Sequence, residues 1–415
     1  NGYELWKTDG TLSGTTLIKD INSGIEDSSP EGYAYSYGFA SIGSTIFFAA
    51  NDGTNGVELW KSDGTESGTV LVKDIRSGSS SSTPRNLISF DSEVYFYAND
   101  GTHGLELWKT DGTESGTSLV KDIYTGATGS ANTECWFYDF ECMVVVGSEL
   151  FFLANYNGNY DVYKTDGTDS GTVSLTGSIA DCTQMSLLVV GSEAFLPCSS
   201  SIYKSDGTTT ELATSLSPSE WIASDDAIFY SATSGGSHQL FMYDVSSETN
   251  TQITSYGNNF VYDSCSVHVC PSFAVNGDVV YFPGGKLDIE GEPRSSINSL
   301  YKYDTSSSTL ERLTDTNPGN SDDVRDIQIV DSTVYFTAES DNTGGTTTRN
   351  LWKIDGTTGE PTIVSSSLLM YQLDDNYGNK IYEMGGQLFY WGYTEETGFE
   401  LFHDESVITS ISYSY

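Results

Sequence analysis

One motif is repeated along this chain. Glu-Leu-Trp-Lys, followed after one residue by Asp-Gly-Thr, is present at residues 4–11, 58–65 and 106–113. Each copy continues into Ser-Gly-Thr and an apolar stretch that ends in Lys-Asp-Ile. Similarity at a spacing of roughly 50 residues indicates a repeat architecture. A motif that recurs in every unit is better explained by packing than by chemistry, because a reaction needs its residues only once.

Each repeat has the pattern of four short antiparallel strands. Residues 43–48 form an aromatic and β-branched run, and residues 51–56 have turn composition. The Glu-Leu-Trp strand follows and ends at Asp63-Gly64, a strong hairpin signal. Residues 68–72 predict another strand, and a less regular one, as at residues 86–90, precedes each aromatic run. Helical periodicity of useful length is absent, so the chain is predicted to be all-β.

Weakened copies extend the count to nine Glu-Leu-Trp strands and eight aromatic runs. Four-stranded units repeated this often predict a β-propeller of eight blades, with one spare strand pair at a terminus. One large aromatic residue recurs in the third strand, and we interpret it as a blade-to-blade packing anchor rather than a ligand contact. These anchors are Trp6, Trp60, Trp108, Tyr163, Tyr203, Trp352 and Phe402.

The predicted single domain spans residues 1–415. Its spare strand pair is either the amino-terminal hairpin, residues 1–21, or, if that hairpin closes the ring, a pair of carboxy-terminal strands. Asn1-Gly2 aligns with Asn55-Gly56, so the chain opens in the middle of a blade. The hairpin either closes the ring or leaves unpaired edges, which favour pairing with a neighbouring subunit. Two other readings are that upstream strands of a longer chain complete this blade, or that the hairpin packs on its own ring.

The motif resembles the ELWxxDGT repeat of large secreted and surface proteins of bacteria and archaea. The match is nearly complete at residues 4–11, 58–65 and 106–113, and partial at residues 351–357, where the glutamate is missing. Around Tyr163 and Tyr203 only Lys-x-Asp-Gly-Thr is kept. The resemblance implies an extracellular propeller and little about activity, because a fold does not determine a function.

The charge excludes some partners. The chain has 18 Lys and Arg against 58 Asp and Glu, a net charge of −40. Such a surface repels nucleic acid and anionic membranes. A high-salt or marine surface protein, a divalent-cation binder and a solvated acidic coat are the three explanations.

Six cysteines lie in three close groups, which favours disulfides in an oxidising compartment over free buried thiols. The spacing does not fit zinc. Residues 182 and 198 flank two strands that meet at Val190-Gly191, where hairpin pairing would place them opposite each other. No apolar run is long enough to insert into a membrane. The predicted location is therefore extracellular or cell-surface, with disulfides among Cys135, Cys142, Cys182, Cys198, Cys265 and Cys270.

No catalytic residue is predicted, and we do not expect an enzyme. The four histidines, at positions 103, 238, 268 and 403, lie in different units without a nucleophile partner. The six arginines are scattered along the chain. Any two of the 58 acidic residues could converge as an acid/base pair, but nothing selects one.

No cofactor is predicted, although Ca²⁺ is a candidate. Aspartate doublets at residues 225–226, 322–323 and 374–375, together with Asp52 and Asp100 in the repeated turns, could supply oxygen ligands. The alternative, solvated turn aspartates that cap backbone N–H groups, is favoured at each position.

These observations favour a non-enzymatic structural or adhesive subunit of a cell-surface or filamentous assembly, joined by edge-strand addition. Self-association or another surface protein is the expected partner. The alternative is a glycan- or protein-binding module that uses loops on one face, with residues 126–140, 255–270 and 286–299 as candidates. A glycoside-hydrolase-like enzyme is the third hypothesis.

Overall fold

The computed structural model describes most of the chain. The described residues are 2–7, 14–29, 38–126, 129–130, 142–156, 159–177, 179, 182, 186–198, 200–255, 273–287, 293–314, 322–342, 346–355, 359–364, 381–384, 387–394 and 398–403. Within these residues every regular element is a β-strand, as predicted. No described helix could cross a membrane.

The chain divides into two compact units, Asn1–Leu212 and Ala213–Tyr415. The first unit begins with a hairpin of β1 (Leu5–Lys7) and β2 (Thr16–Lys19). Blade 1 contains β3 (Ala40–Ile42), β4 (Thr45–Asn51), β5 (Val57–Ser62) and β6 (Val70–Lys73). Blade 2 contains β7 (Arg85–Phe90), β8 (Glu93–Asn99), β9 (Leu105–Thr110) and β10 (Ser118–Leu119). Blade 3 contains β11 (Met143–Val146), β12 (Glu149–Tyr156), β13 (Asn159–Thr165) and β14 (Val173–Ser174). Blade 4 contains β15 (Leu188–Val190), β16 (Glu193–Cys198), β17 (Ser201–Ser205) and β18 (Thr210–Thr214).

The second unit holds the other four blades. Blade 5 contains β19 (Pro218–Ala223), β20 (Ala227–Ser234), β21 (Ser237–Asp244) and β22 (Thr249–Gln252). Blade 6 contains β23 (Ala274–Asn276), β24 (Val279–Leu287), β25 (Pro293–Asp304) and β26 (Thr309–Arg312). Blade 7 contains β27 (Arg325–Val330), β28 (Thr333–Asn342), β29 (Thr346–Asp355) and β30 (Pro361–Ile363). Blade 8 contains β31 (Ile381–Met384), β32 (Gln387–Thr394) and β33 (Gly398–His403).

Strands pair in sequence order within each blade, and all pairs are antiparallel. First strands of successive blades contact each other, β3 with β7 and β7 with β11 in the first unit, β19 with β23 and β23 with β27 in the second. The chain is therefore an eight-bladed β-propeller with one extra strand pair, as the repeat count predicted. The second strand of each blade is the predicted aromatic run, and the third is the Glu-Leu-Trp strand. The prediction of a single domain stays a prediction.

Blades are buried on both faces, which explains their continuous apolar runs. Phe47 and Phe48 are adjacent in β4, so their side chains point to opposite faces. Phe47 packs in the cluster shared with blade 2, and Phe48 packs in the cluster shared with the hairpin. Both are almost fully buried, and burial of each phenyl ring contributes about 1.5–3 kcal/mol.

The two ends of each blade differ. At one end, which we call the turn end, first and second strands are joined by two- or three-residue turns and third and fourth strands by turns such as residues 63–69. At the other, the crossover end, second strands join third strands and each fourth strand leads to the next blade. The longest connections are these crossovers, at residues 20–39, 120–142, 253–273 and 364–380.

One predicted disulfide lies within blade 4 and its preceding segment. Cys182 and Cys198 are bonded, and they also pair as an antiparallel bridge, as the hairpin argument predicted. Cys142 is disulfide-bonded too. The free-thiol alternative is therefore wrong for the described cysteines, while Cys135, Cys265 and Cys270 lie outside the described residues.

Candidate functional site

The glutamate of the motif is buried and holds the crossover that follows its blade. Glu58 lies in β5 with no exposed surface. Its carboxylate accepts hydrogen bonds from the backbone N–H groups of Ile75, Arg76 and Ser82 at 3.0, 3.3 and 2.9 Å. The Ser82 hydroxyl donates a fourth, at 2.5 Å. Four donors on one carboxylate fix the path of the chain toward the next blade.

The same arrangement recurs in the hairpin and in blade 2. Glu4 accepts from Ile21, Asn22 and Ser28, and Glu106 accepts from Ile123, Tyr124 and Ser130. The glutamate and its serine are 24 residues apart in all three copies. We call this arrangement the glutamate clamp. The motif did not predict this contact, although the 24-residue spacing between glutamate and serine is the same in all three copies.

Burial raises the pKa of Glu58 and Glu106 to about 7, and the hydrogen bonds offset part of that shift. A carboxyl group titrating near neutrality is a candidate general acid or base on pKa alone. Both side chains are fully buried and every hydrogen bond they make is to their own crossover. The clamp is therefore closed to a substrate.

Three other blades replace the glutamate clamp by a threonine. The hydroxyls of Thr176, Thr254 and Thr314 accept from the N–H groups of Val162, Leu240 and Leu300, each 14 residues earlier. The same hydroxyls donate to Asp161, Gln239 and Asp322. In blades 3 and 5 the acceptor, Asp161 or Gln239, directly precedes the central apolar residue of the third strand, as Glu58 does in blade 1. In blade 6 the acceptor, Asp322, lies in the crossover itself.

The aromatic anchors pack mainly against the preceding blade. Trp60 is 6% exposed and contacts the hairpin cluster, while Trp108 is 7% exposed and contacts the cluster of blade 1. Tyr163, Tyr203 and Trp352 are partly buried against clusters of blades 2, 3 and 6. Trp6 differs, being 53% exposed. The side chain of Phe402 lies outside the described residues.

Repeated lysines tie the hairpin to blade 1 and blade 1 to blade 2. Lys61 Nζ donates to the carbonyl oxygen of Gly112 at 2.8 Å, and Lys73 Nζ donates to that of Thr117 at 2.7 Å. Lys7 and Lys19 of the hairpin bond to blade 1 at Gly64 and Thr69 in the same way. These bonds give the lysines of both motif segments a structural role.

The Asp-Gly-Thr segments are turns of fixed geometry. The Asp63 carboxylate accepts from the backbone and hydroxyl of Thr65, and these bonds lower the pKa of Asp63. Gly112 has a φ of +88°, and a Cβ atom there would lie 3.1 Å from the Phe47 ring of the preceding blade. Both conformation and space therefore require glycine at this position.

The calcium candidates have protein partners in the described residues. Asp52 accepts from Thr54 and Asn55, and Asp100 accepts from Thr102 and His103, as capped turns. Asp226 accepts from the Ser224 hydroxyl. Residues 374–375 lie outside the described residues. Among the described residues, no group of three or more Asp, Glu, His or Cys side chains could hold a metal ion.

Two arginines converge on one aspartate in blade 7, although the arginines are scattered along the sequence. Arg349 and Arg325 both pair with the carboxylate of Asp323. Arg349 also donates to Thr337, whose hydroxyl donates to Asp326 at 2.8 Å. Asp323 and Asp326 have positive φ values, 43° and 52°, which cost backbone strain. Strand pairing of β27, β28 and β29 creates this cluster, so the spacing along the chain could not reveal it.

The histidines do not form a catalytic group in the described residues. His103 Nδ1 lies 2.7 Å from Asp100 Oδ2, and His238 Nε2 lies 3.4 Å from the Thr233 hydroxyl. The pairing with Asp100 raises the pKa of His103. His268 and the side chain of His403 lie outside the described part.

The predicted binding loops lie at crossover ends. Residues 126–140 fall in the crossover from β10 to β11, and residues 255–270 in that from β22 to β23. Residues 286–299 are not an irregular insertion: β24 and β25 extend into them and pair at Gly285 with Asn298 and at Leu287 with Pro293. Most of the first two segments lies outside the described residues.

Known proteins show only distant similarity to this chain. No family model and no curated protein matches the chain, so the ELWxxDGT resemblance stays a prediction. Among solved structures it is similar to the β-propeller domain of the Trilobed protease from Pyrococcus furiosus, at 15% identity and a TM-score of 0.37, covering 92% of this chain and 100% of that one. It is also similar to puromycin hydrolase, at 11% identity and a TM-score of 0.40, covering 94% and 61% of the two chains. It is also similar to the tricorn protease, at 12% identity and a TM-score of 0.34, covering 94% of this chain and 40% of that one.

The prediction of a non-enzymatic structural or adhesive subunit joined by edge-strand addition is wrong. Solved structures similar to this chain are described as peptidases and TolB proteins. The outer strands also offer poor edges, because β10 and β14 have two residues each and β22 consists of four exposed polar residues. Short polar edges resist strand addition. The hairpin itself packs against blade 1 through Leu5, Ile18 and Ile21.

Proposed function

We propose that this protein is an extracellular recognition propeller that binds a positively charged protein partner through the crossover ends of its blades. The observation that carries the proposal is the difference between the two blade ends. Every first-to-second turn is two or three residues long, whereas crossovers reach the lengths of residues 120–142 and 253–273. Irregular segments on a rigid scaffold are where binding residues concentrate.

The turn ends support the proposal by contrast. Asp63, Asp111 and Asp166 each cap the threonine two residues later with bonds of 2.7–2.9 Å. Repeated lysines fasten these turns to the preceding blade. Asp52 and Asp100 at the crossover ends are capped in the same way, so the contrast between the two ends lies in the length of their connections.

The charge sets the chemistry of the partner. The chain carries −40, and the crossover ends of the first unit bear Glu26, Asp27, Asp52 and Asp100. A basic partner is attracted by this field and associates faster at low ionic strength. Nucleic acid is repelled by the same field.

Recognition rather than catalysis is the activity we propose. The two carboxyl groups with a pKa near 7, Glu58 and Glu106, are enclosed by their own crossovers. Arg325 and Arg349 are engaged with Asp323. The Cys182–Cys198 disulfide supports an oxidising, extracellular location, and so does the ELWxxDGT resemblance.

The test is a chimera that uses the chain's own short crossover. Residues 122–142 are replaced by residues 74–84, which place a serine 24 positions after Glu106, the spacing of the clamp. Partners are captured from the extracellular fraction of the producing cells by the wild-type propeller, identified by mass spectrometry, and their binding is then measured by interferometry. A matched control, Glu66→Gln with Glu114→Gln, removes exposed charge from turn ends.

We expect the chimera to lose at least tenfold in affinity and the control to bind as wild type with the same salt dependence. Equal binding by the chimera, or equal loss in both variants, would contradict the proposal. Folding of each variant is checked by its thermal unfolding curve.

A further inference from the structure

Two repeat tryptophans hold a buried N–H group that has no protein partner. The side chains of Trp60 and Trp108 are 6% and 7% exposed. Their Nε1 atoms are fully buried and make no hydrogen bond to protein. Both residues occupy the same position in successive blades, so the feature recurs rather than being an isolated irregularity.

Aspartates of the Lys-Asp-Ile segments show the complementary feature. Asp20 and Asp74 each have one oxygen, Oδ1, that is buried without a protein donor, as does Asp122 in blade 2, where the facing anchor is Tyr163. The other oxygen, Oδ2, accepts from a backbone N–H, that of Gly24 at 3.4 Å and that of Gly78 at 3.1 Å. Asp20 and Asp74 are therefore each half satisfied.

The lone donors and lone acceptors belong to the same interfaces. Trp60 packs in one cluster with Ile18 and Ile21, which flank Asp20 in the hairpin. Trp108 packs in one cluster with Val72 and Ile75 of blade 1, which flank Asp74 in the same way. Each interface thus brings an indole N–H of one blade beside a segment that carries a buried carboxylate oxygen of the blade before it.

Buried polar groups are almost always hydrogen-bonded, to protein or to ordered water. The bridging species must accept from an indole N–H and donate to a carboxylate oxygen. A metal cation cannot accept a hydrogen bond from the indole N–H, and an anion is repelled by the carboxylate. Water can accept from the indole N–H and donate to the carboxylate oxygen. We propose that one ordered water bridges Trp60 Nε1 to Asp20 Oδ1 and that a second bridges Trp108 Nε1 to Asp74 Oδ1.

Trp352 provides an internal comparison. Its Nε1 donates directly to the carbonyl oxygen of Ala338 at 3.3 Å. An indole at this strand position can therefore reach a protein acceptor on its own blade. The indole N–H groups of Trp60 and Trp108 do not bond to a carbonyl oxygen of their own blades, as expected if water accepts from them instead.

The experiment is nuclear magnetic resonance on the full chain with ¹⁵N-labelled tryptophan. Indole signals are assigned by single Trp→Phe variants, and transfer of magnetisation between each indole proton and water is measured. We expect cross-peaks of the sign given by long-lived bound water for Trp60 and Trp108, and none for Trp352. Absence of cross-peaks at both Trp60 and Trp108 would overturn the proposal without any substitution in an aspartate.

Asp74→Leu then tests the acceptor. The Trp108 cross-peak should disappear while the Trp60 cross-peak, in the other interface of the same molecule, stays unchanged. A Trp108 cross-peak that survives in the folded variant would show that Asp74 does not hold the water. If Asp74→Leu does not fold, Asp20→Leu gives the reciprocal test, with loss expected at Trp60 only.

Discussion

The hydroxyl of Ser82 donates a hydrogen bond of 2.5 Å to Glu58, a residue 24 positions earlier in the chain. This contact closes a loop around a fully buried carboxylate and directs the chain from blade 1 into blade 2. The first residue of the Glu-Leu-Trp motif therefore has a structural role as a hydrogen-bond acceptor, and Glu4 and Glu106 have the same role.

Removing the clamp should destabilise the first unit. Glu58→Ala leaves four donors buried, the N–H groups of Ile75, Arg76 and Ser82 and the Ser82 hydroxyl. Because each buried unsatisfied group costs about 1–3 kcal/mol and local rearrangement recovers part, we expect a loss of about 3–5 kcal/mol. Urea unfolding measures it, with exposed Glu66→Ala as the control. Equal midpoints for the two variants would refute the structural role of the clamp.

The clamps also predict a pH dependence. The folded pKa of Glu58 and Glu106, about 7, lies above the ordinary value of 4.5, so each group takes up a proton on folding between these pH values. Stability contributed by these groups therefore rises as pH falls from 7 toward 4.5, by about 1.4 kcal/mol per pH unit for each glutamate. The double variant Glu58→Gln, Glu106→Gln should lack this slope. Parallel stability curves for wild type and variant between pH 5 and 7 would contradict the assignment.

His103 should respond to pH in the same sense, in a window that begins at higher pH. Pairing with Asp100 raises the pKa of His103, so the pair stabilises the turn below the unfolded pKa of about 6.5 and is lost as pH rises through the folded pKa. His103→Asn recreates the turn of blade 1, where Asn55 bonds to Asp52 at 2.8 Å. A proton magnetic resonance titration should give a His103 midpoint above 6.5. A midpoint at or below the ordinary value would rule out the pair.

The charged cluster of blade 7 should be costly to break. Arg349→Met removes one of the two arginines that pair with the carboxylate of Asp323 and removes a donor to Thr337. Loss of one member of a buried ion pair costs about 3–5 kcal/mol, because the other charge stays buried. Lys302→Met, which breaks an exposed pair with Glu311, is the matched control and should cost about 0–1 kcal/mol. Similar thermal unfolding of both variants would show that the cluster does not stabilise the blade.

Several features of the fold could be read from the chain because they depend on neighbouring residues. Nine third strands and eight second strands were countable, since each is a short run bounded by its own turns. Cys182 and Cys198 could be paired because they flank one hairpin. The packing role of Trp60 and Trp108 followed from their recurrence.

Other features depended on contacts between distant segments. Arg325 and Arg349 looked scattered because 24 positions separate them, and strand pairing brings both to Asp323. Residues 286–299 looked irregular because Gly and Pro weaken a strand pattern, yet cross-strand pairing extends β24 and β25 through much of them. Trp6 matched the anchors in sequence but is exposed.

The sequence by itself determined the number of blades, the order of their strands and the turn at each Asp-Gly-Thr, because these follow from local propensity and from repetition. Only the tertiary structure decided the roles of Glu58, Lys61 and Asp323. Hydrogen bonds to Ser82, Gly112 and Arg349 exist only after distant segments pack together. A buried charged group must be paired or hydrogen-bonded, because burying it alone costs free energy. The partners of each of these residues are therefore fixed by its neighbours in the folded chain.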